Sequence, residues 1–205
     1  SDDTGLVLPP AIAPIQVVVT PIWKGDAEKA EVLAFAGKVM ESLKGVRVKL
    51  DDRDGLKPGA KYFEWERKGV PLRLEIGPRD VKQGAVFAAS RLGGKKESLP
   101  LEGLAAAVRG KLDGIQAELL ARATAQRDAR TFRIASYDDL KAGLETGGFF
   151  LVPWHDDADA EAKIKEETRA TIRCYPLDGQ EEAAGKTCFY SGRPATHMAI
   201  FARAY

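Results

Sequence analysis

Through "PLRLEIG" (71–77) apolar and charged residues alternate, so Leu72, Leu74 and Ile76 share one face of an extended segment and Arg73 and Glu75 the other. "VRVKLDD" (46–52) alternates in the same way, and the β-branched run "QVVVTPIW" (16–23) predicts a buried strand. "AVFAASRL" (85–92) predicts another. Between these lie helical patterns. In "DAEKAEVLAFAGKVMESLKG" (26–45) apolar residues recur at three and four, with Asp26 as a candidate cap and Gly45 as a stop. "PGAKYFEWERKG" (58–69) reads as a short helix opened by Pro58 and closed by Gly69, and "RDVKQG" as a turn or a single helical turn. Strands alternating with helices predict an α/β domain: a mixed sheet flanked by helices.

"GGKKESLP" breaks the alternation. A long helix is expected over 101–132, where Leu104, Val108, Leu112, Ile115 and Leu119 form one stripe. The spacing then predicts a helix in "YDDLKAGLET", a strand in "GGFFLVPW", a helix in "DADAEAKIKEET", a strand in "TIRCYPL", and a turn plus a last strand in "TCFYSGRPATHMAIFARAY". This second set describes a small α+β domain. The boundary falls within the long helix, giving 16–115 and 116–205, with 1–15 a turn-rich connector.

Composition narrows the function classes. The chain has 205 residues, 44% hydrophobic and 30% charged, which suits a globular fold and excludes a disordered one. The formal net charge of +1 excludes a surface that is basic throughout, so any contact with RNA must be local. Two cysteines, Cys174 and Cys188, make no disulfide framework and fit a reducing, cytoplasmic setting. No apolar run is long enough to span a bilayer, so no membrane partner is expected. No phosphate-binding Gly-rich loop, nucleophile elbow or His-Glu-x-x-His metal motif occurs.

One stretch asks for more than solvation. "DDRDGLKPGAKYFEWERKGVPLRLEIGPRD" (51–80) interleaves carboxylates and cations with Tyr62, Phe63 and Trp65. Tyr62 and Glu66, four apart, share a helix face. Charges beside aromatic rings suit an RNA loop, whose splayed bases offer polar edges and stacking faces. Charged residues more often only solvate a surface.

In order along the chain, "DDTGLVLPPAIAPIQVVVTPI", "LDDRDGLKPGAKYFEWERKGVPLRLEIGPRD", "ASRLGGKK", "EETRATIRC" and the terminal "FARAY" resemble the C-terminal part of prolyl-tRNA synthetases of the archaeal and eukaryotic type. The resemblance implies an anticodon-binding domain followed by a C-terminal domain of a class II proline–tRNA ligase. It implies tRNA(Pro) as partner, a catalytic domain in the same chain, a homodimer, and ATP and Mg²⁺ as requirements of the intact enzyme but not of this fragment. "DDTGLVLPP" is similar to the tail of the family's last catalytic motif, so the fragment alone is expected to be inactive.

Residue by residue, the family's base-reading positions match Glu66, Arg73, Asp80 and Lys95, and Tyr62 matches a stacking aromatic. The last two letters of the proline anticodon are guanines, whose Watson–Crick edge donates to carboxylates and whose O6 and N7 accept from Arg or Lys. Arg91, Lys95 and Lys96 are candidates for phosphate contacts, with plain solvation equally open for Lys96. Tyr205 matches the family's terminal residue, whose carboxylate supports the active site from across the domain boundary. Relatives often hold zinc with four cysteines; the corresponding positions here are His155, Ala160, Cys188 and Ser191, too few donors for a closed site, so no metal is expected. Cys174 reads as a small buried residue and His197 as a surface or half-buried one. The alternative to a synthetase is a stand-alone RNA-binding or protein-interaction module related to its anticodon domain.

Overall fold

The computed structural model describes residues 1–203. The chain forms two compact units, Ser1–Ala121 and Arg122–Tyr205.

The first unit contains β1 (Val17–Pro21), α1 (Asp26–Ser42), β2 (Val48–Leu50), α2 (Pro58–Arg67), β3 (Leu72–Ile76), α3 (Pro78–Gln83), β4 (Ala85–Ser90), β5 (Glu97–Pro100) and the start of α4 (Leu104–Ala129). Its sheet has the order β2-β1-β3-β4-β5. The helical crossovers α1 and α2 make β2, β1 and β3 parallel, while the short helix α3 after β3 and the glycine turn after β4 reverse the chain and give antiparallel pairs. Val17, Val19, Leu72, Leu74 and Ile76 face α1 and α4 and pack on Val32, Phe35, Val39, Leu104, Val108 and Leu112. Full burial of an aliphatic side chain stabilises by about 1.5–3 kcal/mol, so this face supplies most of the unit's cohesion. The opposite face carries α2, through Val18, Trp65 and Val70. Arg73 stands opposite Val18 and Glu75 opposite Thr20 in the β1–β3 register, which puts both charges on the α2 side.

The second unit contains the end of α4, then β6 (Thr131–Arg133), α5 (Tyr137–Leu144), β7 (Phe149–Trp154), α6 (Ala158–Thr168), β8 (Ala170–Cys174), a short 3-10 turn (Gln180–Ala183) and β9 (His197–Arg203). Its sheet has the order β6-β7-β9-β8. Phe150, Trp154, Phe189 and Phe201 form an aromatic core closed by Leu140, Leu144 and Ile164. Trp154 and Phe201 meet edge to face with centroids 5.4 Å apart. Both helices start on side-chain caps: the Ser136 hydroxyl accepts from the Asp139 amide at 3.2 Å, and the Asp157 carboxylate from the Asp159 and Ala160 amides at 3.1 Å.

Several expectations need correction. Asp26 is the first residue of α1 and not its cap; Gly25 holds that position without a side-chain bond. "GGKKESLP", expected to carry no element, supplies β5, which completes the sheet and hides Leu99 beneath α4. The long helix ends at Ala129, and Thr131–Arg133 turns into a strand beside β7, because backbone pairing with Phe149–Leu151 outweighs the weak helical preference of the last residues. The division of the chain falls at Ala121/Arg122, later in α4 than 115/116. Residues 1–15 are docked on the first unit: the Leu6 amide donates to Arg67 O at 3.1 Å, and the Arg47 guanidinium donates to the carbonyls of Pro10, Ala11 and Ala13. Cys174 is exposed. Among the described residues no helix is long and apolar enough to cross a membrane.

Two glycines in helices separate backbone propensity from packing. A Cβ on Gly143 in α5 would run into the Phe150 ring, whereas one on Gly110 in α4 would meet nothing within 4 Å. Gly110→Ala is therefore expected to stabilise the first unit by about 0.5–1 kcal/mol. Gly143→Ala is expected to destabilise the second by about 1–3 kcal/mol despite the same gain in propensity. Denaturant unfolding of the two variants checks this, and equal shifts of one sign would refute it.

Candidate nucleic-acid interface

The site is organised from the end of β2. Asp51 is 2% exposed, and its amide is tied to Val19 O at 2.8 Å. Its carboxylate accepts a two-pronged bond from Arg53, at 2.7 and 2.8 Å, and one from the Trp65 indole N–H at 2.7 Å. Its carbonyl accepts from the Lys61 ammonium at 3.0 Å, itself only 4% exposed. Lys61 and Trp65 are four apart on α2, so one buried carboxylate fixes both the position and the rotation of that helix. The Arg53 guanidinium, helped by Trp65 and Lys61 against burial, holds the Asp51 carboxyl at about 2.

With that rotation set, the next stripe of α2, Tyr62 and Glu66, lies over β3. Arg73 Nη1 donates to Glu66 Oε1 at 2.7 Å and Nε to Glu75 Oε1 at 3.1 Å. The guanidinium carbon sits 4.0 Å from the Tyr62 ring centroid. Lys96 Nζ donates to both Glu75 oxygens, at 2.7 and 2.8 Å, and lies 5.4 Å from the same ring. Burial, and then the Glu75 carboxylate, raise the Tyr62 phenol above its ordinary range. Exposure grades outward: the Arg73 side chain is 11% exposed and that of Glu66 40%. The cluster thus presents a carboxylate edge to solvent, held by a stacked and hydrogen-bonded arginine. Such an edge accepts paired N–H donors, as a guanine Watson–Crick face supplies them.

Tyr62, Glu66 and Arg73 are brought together. Asp80 accepts from the Gly77 amide at 2.7 Å, bracing the first turn of α3. Lys95 is exposed on the glycine turn between β4 and β5, where it lines an open hollow with Leu72, Ala88, Lys111 and Ile115, on the α4 side of the sheet. It is the neighbouring Lys96 that joins the cluster. Arg91 is not a free phosphate ligand. Its side chain is 6% exposed, and it is spent on the Asp2 carboxylate and the carbonyls of Leu6 and Glu66. Glu75, 9% exposed, is the member that the reading of the sequence left out. The available signal was its place two residues from Arg73 on one strand face, where a buried cation needs a buried anion. The three aromatics divide as well: Trp65 is core, Tyr62 backs Arg73, and Phe63 is 58% exposed.

At the four positions expected to correspond to zinc ligands, the donor set does not fit a closed tetrahedral metal. His155 Nδ1 lies 2.8 Å from Pro194 O, Cys188 is buried, and Ala160 offers no donor atom. Among the described residues no group of three or more His, Cys, Asp or Glu side chains is placed to hold a metal ion. The turn after Cys188 is held by its amide donating to Arg193 O at 2.7 Å and by an Arg193–Asp157 ion pair. Burial opposes the Cys188 thiolate, but hydrogen bonds from Ser191 and from the Tyr190 and His155 backbone lower the thiol below its ordinary value. Tyr205 lies outside the described residues.

Two family models match this chain: "Anticodon binding domain" over residues 16–111, and "Prolyl-tRNA synthetase, C-terminal" over 137–205. The chain belongs to the prolyl-tRNA synthetase family. It is 49% identical to the chloroplastic/mitochondrial proline–tRNA ligase of Arabidopsis thaliana and 47% identical to the proline–tRNA ligase of Roseiflexus castenholzii. All of the chain is matched in both, but it spans only 39% and 43% of their lengths. The crystal structure of the Cryptosporidium parvum prolyl-tRNA synthetase, solved with halofuginone and AMPPNP, superimposes over the whole chain with a TM-score of 0.91 at 34% identity, and the match covers 44% of that chain. These matches place the present chain in the C-terminal part of the synthetases, and the Tyr62–Glu66–Arg73 cluster within the segment matched as anticodon-binding.

Asp51 is depressed on folding, so the stability it contributes is fully present above its ordinary value of 3.8 and is lost as pH falls from there toward about 2. Asp51→Asn leaves buried Lys61 without its anion and is expected to cost about 2–4 kcal/mol at neutral pH. The variant should also lose part of the steep fall in stability between those two pH values. An unchanged acid-unfolding slope in Asp51→Asn would refute the assignment.

Proposed function

We propose that this chain is the tRNA-recognising portion of a proline–tRNA ligase, in which the first unit reads the anticodon of tRNA(Pro). The observation that supports this best is the Glu66–Arg73–Glu75–Lys96 relay stacked on Tyr62, inside a segment of anticodon-binding type. Glu66 accepts from the N1 and N2 donors of a guanine. Arg73 positions that carboxylate and keeps unused N–H donors for a guanine O6 or N7. Tyr62 stiffens the guanidinium from behind, and Phe63 offers an exposed ring for stacking. Lys95 contributes from the glycine turn, and Asp80 through the start of α3.

The intact enzyme joins proline to its tRNA with ATP and Mg²⁺, which a catalytic domain in the same chain would bind. It is expected to act as a homodimer and in the cytoplasm. In the second unit we propose that packing of Phe150, Trp154, Ile164 and Phe201 takes the place of zinc. A chelator should accordingly leave the thermal unfolding of this unit unchanged, and a loss of structure on chelation would refute the idea. For Tyr205 the proposed role is supporting: its terminal carboxylate orders the proline pocket of the intact enzyme. Removing Tyr205 should slow proline activation while leaving affinity for tRNA unaltered, and a full activation rate in the shortened enzyme would leave it as a chain end.

The decisive experiment measures binding of the 205-residue chain to a tRNA transcript with a proline anticodon, and to one with its last two anticodon letters changed. Wild type should prefer the former. Glu66→Ala should erase about 1–3 kcal/mol of that preference, and Arg73→Lys should erase a similar share, since a single ammonium cannot reproduce the fork. Equal affinity of the wild-type chain for both transcripts would sink this reading.

A further inference from the structure

The second unit holds a separate group of cations that anticodon reading does not use. Arg127 and Arg130, at the end of α4 and just beyond it, Arg173 at the bulge in β8 and Arg203 on β9 line one open hollow together with Gly148 and Phe149. All four arginines are exposed, and no carboxylate lines the hollow. In a chain whose formal net charge is only +1, four cations in one concavity are a strong local concentration of charge.

Their anchors leave that charge available. Arg173 Nη2 donates to Ala202 O at 3.1 Å and Arg203 Nε to Thr168 O at 3.1 Å; a carbonyl orients a guanidinium without neutralising it. The carboxylates paired with these arginines are Asp128, 2.7 Å from Arg127, and Glu145, 3.5 Å from Arg203, while Glu166 and Glu167 line an adjoining hollow that Arg203 also borders. Asp128 and Glu145 are well exposed, and pairs of that kind are weak and exchangeable. The loop is shaped to seat Arg130. Gly148 has φ +136°, and a Cβ there would stand 2.8 Å from Arg130 O and from the Phe132 ring, so only glycine lets the chain pass this close. Phe149 in the hollow is 40% exposed, an apolar ring beside four guanidinium groups. Cations that carry phosphates next to an aromatic face that carries a base or sugar are the elements of a sequence-independent single-stranded nucleic-acid contact.

We propose that this hollow binds the sugar-phosphate backbone of the RNA, as a second contact independent of sequence. The proposal rests on the chain's binding RNA, and its readout is distinct from anticodon preference. The affinity of the full chain for the two transcripts above is followed by fluorescence anisotropy as salt is raised. The Arg127→Gln/Arg130→Gln variant should lower the slope of log affinity against log salt by about 1–2 for both transcripts, as for one or two lost phosphate contacts. The ratio between the two transcripts should not move. Arg127→Lys/Arg130→Lys should keep the wild-type slope, and both variants should unfold at the wild-type midpoint, since these side chains are exposed. A slope and affinity unchanged in the glutamine variant would overturn the proposal. So would a hollow that takes up inorganic phosphate, seen as a loss of phosphate binding in the glutamine variant, while the RNA slope stays as in wild type. If the wild-type chain shows no anticodon preference, the reading of the first unit fails, and the slope difference still decides the hollow.

Discussion

The buried Asp51 carboxylate is the constraint on which the candidate surface depends. It takes four hydrogen bonds through its carboxylate and carbonyl, from Arg53, Trp65 and Lys61. A carboxylate in that position is costly unless it is fully paired, and a helix that supplies two of the partners can dock in only one rotation. Once Lys61 and Trp65 point inward, Tyr62 and Glu66 must lie over Arg73. The polar cluster on the α2 side of the sheet is therefore a consequence of a buried ion network one helical stripe away.

The two faces of the first sheet divide the work. The side covered by α1 and α4 is aliphatic and supplies cohesion. The α2 side has only a small apolar cluster around Val18, Trp65 and Val70, and the rest of its contact with α2 is ionic and aromatic. That division keeps the polar cluster off the main core. Glu66 and Lys96 reach solvent, whereas Arg73 and Glu75, each 11% exposed at the side chain, belong to the packing between α2 and the sheet. In the second unit the relation is different. An aromatic core is built around Trp154, and the turn at Cys188 is held by backbone bonds and one ion pair.

The sequence by itself determined the larger part of the secondary structure. Alternation in "PLRLEIG" and recurrence at three and four in α1 and α4 are direct images of which side is buried, so they can be read without coordinates. Ordered stretches such as "PGAKYFEWERKG" also carried the family likeness, since residue identities survive in the chain itself. β5 and β6 were not legible. Both are short edge segments, and what makes them strands is pairing with β4 and β7, a non-local gain that no local pattern encodes. Tertiary structure alone decided which charges meet: that Arg91 is consumed by Asp2, that Lys96 and not Lys95 reaches Glu75, and that Glu75 belongs to the cluster at all. Local periodicity reports burial, whereas an ion pair depends on which distant segments the sheet brings side by side.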